Sequence, residues 1–163
     1  MKRYILYGFI ISVQLMSCNN KSEPLDKAQK EIIVSEVHLM FDDYHTAIKK
    51  EGLKSEFKYL DSSSNFFWVP PGYSAPLSYD SVQSILLINA KGINSIEFTW
   101  DTLQVFPLTN SIASYSGVVN GVMIDTSNTQ STFKIIESGT VIKRKTGWKL
   151  LNGQSRNLPA TKN

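Results

Sequence analysis

Gly92-Ile93-Asn94-Ser95-Ile96-Glu97-Phe98-Thr99-Trp100-Asp101 is where the chain changes its period. Ile96, Phe98 and Trp100 alternate with Glu97, Thr99 and Asp101, so one face is apolar and the other polar, as in a half-buried strand. Upstream the spacing is helical. Ile33, Val37, Phe41, Tyr44 and Ile48 form one stripe, started by Asp26 with Gln29 three residues on and closed by Lys49-Lys50 and Gly52. A short second helix carries Leu53, Phe57 and Leu60 on one side. A third runs from Ser78 to Lys91, with Ser78 as its cap. Between them Phe66–Val69 reads as a short strand stopped by Pro70-Pro71-Gly72.

Downstream of Gly92 the chain reads as strands. The first continues irregularly to Phe106, which predicts a bulge near Asp101-Thr102. Pro107 to Asn110 reads as a turn, and further strands run through Ile112–Ile124, Thr132–Lys145 and Trp148–Asn152. The tail from Ser155 is polar and is expected to fray, with residues 157–163 set apart from the domain. Three helices followed by an antiparallel meander is an α+β pattern. With 163 residues, 42% hydrophobic and 19% charged, the composition suits one folded domain rather than a disordered chain.

The N-terminus reads as an address. Lys2-Arg3 precedes an apolar stretch, Tyr4 to Val13, shorter than the roughly 20 residues that span a bilayer. It ends in Leu15-Met16-Ser17-Cys18, which resembles the bacterial lipobox. That resemblance implies a signal peptide over 1–17, a diacylglycerol thioether on Cys18, and attachment to the lipid bilayer of a bacterial cell envelope. The domain would then be periplasmic. Asn19 and Asn20 stand where an aspartate marks inner-membrane retention, which favours the outer membrane. Residues 18–25 form the lipidated cysteine and its tether, and 26–156 the domain. Cys18 is the only cysteine, so no intramolecular disulfide is available. The net charge of +3 falls to about +1 once Lys2 and Arg3 are removed, and Lys143-Arg144-Lys145 is the only basic run. Nothing there points to nucleic acid.

Tyr44-His45-Thr46-Ala47-Ile48-Lys49-Lys50-Glu51-Gly52-Leu53 followed by Tyr59-Leu60, and Gly139-Thr140-Val141-Ile142-Lys143-Arg144-Lys145-Thr146-Gly147-Trp148-Lys149-Leu150, resemble nuclear transport factor 2-like (SnoaL-like) proteins. The resemblance covers roughly residues 26–156. It implies a cone: a curved antiparallel sheet wrapped around three N-terminal helices, in the cystatin-like manner, with a cavity at the wide end. Tyr44 falls where isomerases of that family have an oxyanion-donating tyrosine. Their catalytic aspartate has no counterpart, since Val69 precedes Pro70 at that place. No catalytic residue is therefore assigned, and Tyr44 reads as a tyrosine at the cavity edge.

Trp68, Tyr73 and Trp100 are candidates to line the mouth and grip an apolar ligand, with Asp101 the nearby carboxylate if the bulge turns it inward. His38, Asp42 and His45 share one helix flank and read as exposed polar residues rather than a metal site. No cofactor is implied. The leading expectation is a membrane-tethered domain that binds a small apolar or amphipathic molecule without transforming it. An isomerase- or dehydratase-type enzyme using Tyr44 with a cavity carboxylate or histidine is the alternative. A third reading is an interaction module, in which the open sheet face forms a homodimer. Cys18→Ser is expected to abolish incorporation of labelled fatty acid and to leave the precursor unprocessed, read by metabolic labelling and gel mobility; a labelled mutant would overturn the lipobox assignment.

Overall fold

The computed structural model describes residues 24–159, so the leader, Cys18 and the last four residues lie outside the described residues. Helix α1 spans Lys27–Glu51. It opens with a reciprocal capping box: Gln29 N–H donates to Asp26 Oδ1 at 2.7 Å, and Asp26 N–H donates to Gln29 Oε1 at 3.0 Å. It closes at Gly52, whose φ of 79° is the left-handed conformation that glycine adopts without penalty. Ile33, Val37, Phe41 and Ile48 of the expected stripe are buried. The second helix is a 3₁₀ helix, Leu53–Lys58. Strand β1 is Phe67–Val69, and helix α2 is Tyr79–Asn89 with Ser78 as its cap.

Four long strands follow: β2 Ile93–Thr109, β3 Ile112–Asp125, β4 Gln130–Arg144 and β5 Gly147–Asn157. The sheet order is β1-β5-β4-β3-β2, antiparallel except for β1, which runs parallel to β5. The register of β2 against β3 shifts between Trp100 and Thr102, where a bulge was expected. Two expectations need correction. Pro107 lies within β2 rather than in a turn; β2 is an edge strand, the place in a sheet where a residue without an N–H is tolerated. The polar segment from Ser155 to Asn157 is paired with Ile135 to Glu137 rather than frayed, and Leu158 N–H still donates to the Lys134 carbonyl.

The concave face of the sheet closes over α1. Phe41 has no exposed surface, its ring centroid 5.1 Å from that of Trp100 and 4.7 Å from that of Tyr115. Trp148 is also core: its Nε1–H donates to Glu36 Oε2 at 2.8 Å, and Lys143 reaches the same carboxylate at 2.7 Å. Asp61 is nearly buried and takes two hydrogen bonds from Arg144, at 2.6 and 3.1 Å. No helix among the described residues is long and apolar enough to cross a membrane.

Gly139 and Gly153 face each other across β4 and β5, and a Cβ at Gly139 would strike the Asn152 carbonyl oxygen. Backbone cannot move aside as a side chain can. Gly139→Ala is therefore expected to destabilise the domain by about 1–3 kcal/mol, as overpacking does, whereas Ser138→Ala on the opposite face should change stability little. Urea denaturation of the two variants checks this.

Candidate active site

Between α1, the 3₁₀ helix, α2 and the concave sheet lies a cavity of about 330 Å³. Most of its wall is apolar, including Leu53, Leu86, Ile96, Phe98, Met123 and Phe133. Polar side chains converge on it from several elements: Tyr44 and His45 from the last turns of α1, Glu56 from the 3₁₀ helix, Asn89 at the end of α2, and Glu137 from β4. Ser155 and Asn157 of β5 line the side nearest Glu137.

Each glutamate is held by a tyrosine. Tyr44 Oη donates to Glu56 Oε2 at 2.8 Å, and Tyr115 Oη donates to Glu137 Oε1 at 3.3 Å. Burial lifts the Glu56 carboxyl to about 7, although the Tyr44 hydroxyl pulls it down. Burial likewise lifts Glu137 to about 7, opposed by the Tyr115 hydroxyl and reinforced by the charge of Glu56. Both phenols are pushed well above 10, chiefly by burial and then by the neighbouring acids, so they remain donors. Burial takes His45 down to about 4, leaving a neutral imidazole stacked on Trp100 at 5.3 Å. The arrangement offers two acids that each gain or lose a proton near neutrality, in a largely apolar enclosure.

The sequence candidates divide. Tyr44 and Trp68 line the cavity, and Tyr44 stands at its edge with its hydroxyl satisfied. Trp100 does not reach the mouth; it stands behind the wall against Phe41, His45 and Tyr115, with its Nε1 buried and unpartnered by protein atoms. Tyr73 is 47% exposed beside Ser116 and Ile136 on the outer face of the sheet. Asp101 also points outward, paired with Lys134 at 2.8 Å, because the register shift leaves it on the solvent side. His45 turns inward while Asp42 stays exposed, so they share no site. Glu56 and Glu137 were missed.

Glu137 carries a readable signal, for it shares the inward phase of β4 with Phe133, Ile135 and Val141. Glu56 follows Leu53 by three residues, and a 3₁₀ helix places those two on one face.

No family model matches the sequence, and neither does any curated protein. Solved structures do match in fold. A nuclear transport factor 2-like superfamily protein from Salmonella enterica serovar Typhimurium superimposes with a TM-score of 0.68 at 12% identity, over 81% of this chain and 95% of that one. A protein provisionally named scytalone dehydratase, from Novosphingobium aromaticivorans, gives 0.72 at 11% identity, over 82% and 89%. An uncharacterised cystatin-like protein from Caulobacter vibrioides gives 0.60 at 11%, over 77% and 89%. The domain has the nuclear transport factor 2-like fold, an α+β cone of cystatin-like kind.

The acids make stability depend on pH. Between about 4.5 and 7 the folded chain keeps protons on Glu56 and Glu137 that the unfolded chain has released. Stability present below that window is therefore lost as pH rises through it. His45 opposes this between about 4 and 6.5, where only the unfolded chain is protonated. Asp61 and Glu36, held low by Arg144 and by Lys143, act below the window. Two acids against one imidazole leave a net fall. The melting temperature is expected to be lower at about pH 8 than at about pH 5 by roughly 5 °C or more. The double change Glu56→Gln, Glu137→Gln should remove that loss in thermal melts, and a wild-type protein equally stable at both pH values would show the acids to be freely hydrated.

Proposed function

We propose that this domain binds a small apolar or amphipathic molecule in its cavity and moves a proton on it, as isomerases and dehydratases do. We also propose that the mature protein works from a membrane surface through lipidated Cys18. The observation carrying the catalytic part is the pair Glu56 and Glu137: two carboxyls lining one apolar cavity, each near 7 and each held by a tyrosine.

Two interacting acids of similar strength share about one proton at neutral pH, so one serves as base while the other serves as acid. In an isomerisation the carboxylate takes a proton from a carbon beside a carbonyl, and the carboxylic acid protonates the oxygen or the far carbon. In a dehydration the same two transfers break a C–H bond and release a hydroxyl as water, leaving a carbon–carbon double bond. The dehydratase name of the Novosphingobium protein, whose fold is shared, is consistent with this chemistry and supports it only by analogy.

The non-catalytic reading rested on Val69 occupying the place of a family aspartate. Glu56 and Glu137 supply acids from other elements, so that vacancy no longer argues against proton transfer. Ketone and β-hydroxycarbonyl probes can be screened by quenching of Trp68 fluorescence, and bound ones followed for deuterium exchange. Exchange should show a bell-shaped pH profile with its flanks on either side of about 7, and Glu56→Gln or Glu137→Gln should each slow it by about 100-fold or more. Probes that bind without exchanging would return the protein to the class of simple binders.

A further inference from the structure

The lining of this cavity also specifies the charge of its ligand, an inference that rests on the proposed function only in taking the cavity as the ligand site. Its lining holds two carboxyl groups and no lysine or arginine. The imidazole of His45 is neutral. Cations near the cone are engaged elsewhere: Lys49 with Glu97 at 2.6 Å, Lys58 with Glu51 at 2.6 Å, and Lys134 with Asp101 at 2.8 Å. An anionic ligand would thus enter a low-dielectric space next to acids with nothing to neutralise it.

The glutamates can also accept more hydrogen bonds than the protein's side chains donate to them. An ionised carboxylate has about four acceptor sites, and the side-chain donors in contact are one tyrosine hydroxyl for each. Beside them runs an aromatic wall. Tyr44 and His45 have ring centroids 5.5 Å apart, His45 and Phe98 5.7 Å, and Phe98 and Phe133 5.9 Å. Ring faces carry the negative part of the aromatic quadrupole, so such a wall favours a cation and the apolar body attached to it alike.

We propose that the cavity takes a small amphipathic amine, bound as its ammonium ion against Glu56 and Glu137 with its apolar body along the Tyr44–Phe98–Phe133 wall. The ammonium supplies further donors together with the positive charge that the lining lacks. Because it favours the ionised form of both acids, its entry expels the proton they share, and binding at neutral pH releases a proton to the buffer.

The test uses the full chain in a non-ionic detergent and calorimetry near pH 7. Benzylamine, 2-phenylethylamine and hexylamine are compared with the alcohol and the carboxylate of the same skeleton. At least one amine should bind ten times or more tighter than its alcohol, and its carboxylate should not bind. Its apparent heat should vary with the ionisation heat of the buffer as proton release requires. Glu56→Gln and Glu137→Gln should each narrow the amine-to-alcohol ratio. Alcohols binding as well as amines, a bound carboxylate, or no amine binding at all would overturn the proposal. The ratio is read on wild-type protein, so a variant that fails to fold does not obscure it. Ketones that exchange deuterium without any amine preference would sink this inference alone, and amine preference without exchange on any bound probe would sink only the catalytic reading.

Discussion

The roll of α1 is fixed by one aromatic ring. Phe41 is clamped between the partly buried Trp100 and Tyr115, with Val37 one turn back and Ile48 two turns on; Phe41, Tyr115, Val37 and Ile48 have little or no exposed surface. Residues three and four positions beyond Phe41 must then face the same way, which sends Tyr44 and His45 into the wide end of the cone. Gly52 ends the helix there with a positive φ, and the 3₁₀ helix that follows comes back beneath it. Only this reversal brings Glu56 within 2.8 Å of the Tyr44 hydroxyl. Replace the clamp with smaller side chains, and the geometry of both acids' neighbours loosens with it.

The parts of this fold that a chain advertises locally were legible in its sequence. The Asp26–Gln29 box, the Ser78 cap and the alternation Ile96–Phe98–Trp100 are short-range signals, each with its own mechanism. The bulge was legible as well, but the side to which it throws Asp101 depends on how β3 is registered, and that is a long-range fact. Trp100 lies behind the cavity wall because Gly117 on β3 offers it a bare surface; a Cβ there would sit 2.6 Å from its ring. Glu56 was lost to a wrong period: spaced as an α-helix, Leu53, Phe57 and Leu60 make the inner face, whereas the 3₁₀ spacing puts Glu56 beside Leu53. Glu137 stands on the inward phase of β4 with Phe133 and Ile135, and its partner Tyr115 comes from β3, which only the register reveals.

The cavity acids work against the rest of the structure. Two carboxyls pushed to about 7 by burial are groups the fold would be more stable without. Elsewhere the charges are well matched. Asp61 accepts from Nε and Nη2 of Arg144, and Glu36 serves Lys143 and the Trp148 indole at once. These ties join α1 and the segment after the 3₁₀ helix to β4 and β5, outside the lining of the cavity.

Strand β2 exposes its outer edge along 17 residues, a length that in a flat strand would recruit another chain. Its register breaks between Ile93 and Ser95, between Trp100 and Thr102, and between Pro107 and Thr109. An incoming strand would therefore meet two short regular runs, Ser95–Trp100 and Thr102–Pro107, in place of one continuous edge. Pro107 withholds a donor from the second. Copies crowded together by a shared lipid anchor, as proposed, would collide edge-on far more often than molecules in free solution. The same irregularities that shape the cone's rim would then keep such neighbours from aggregating.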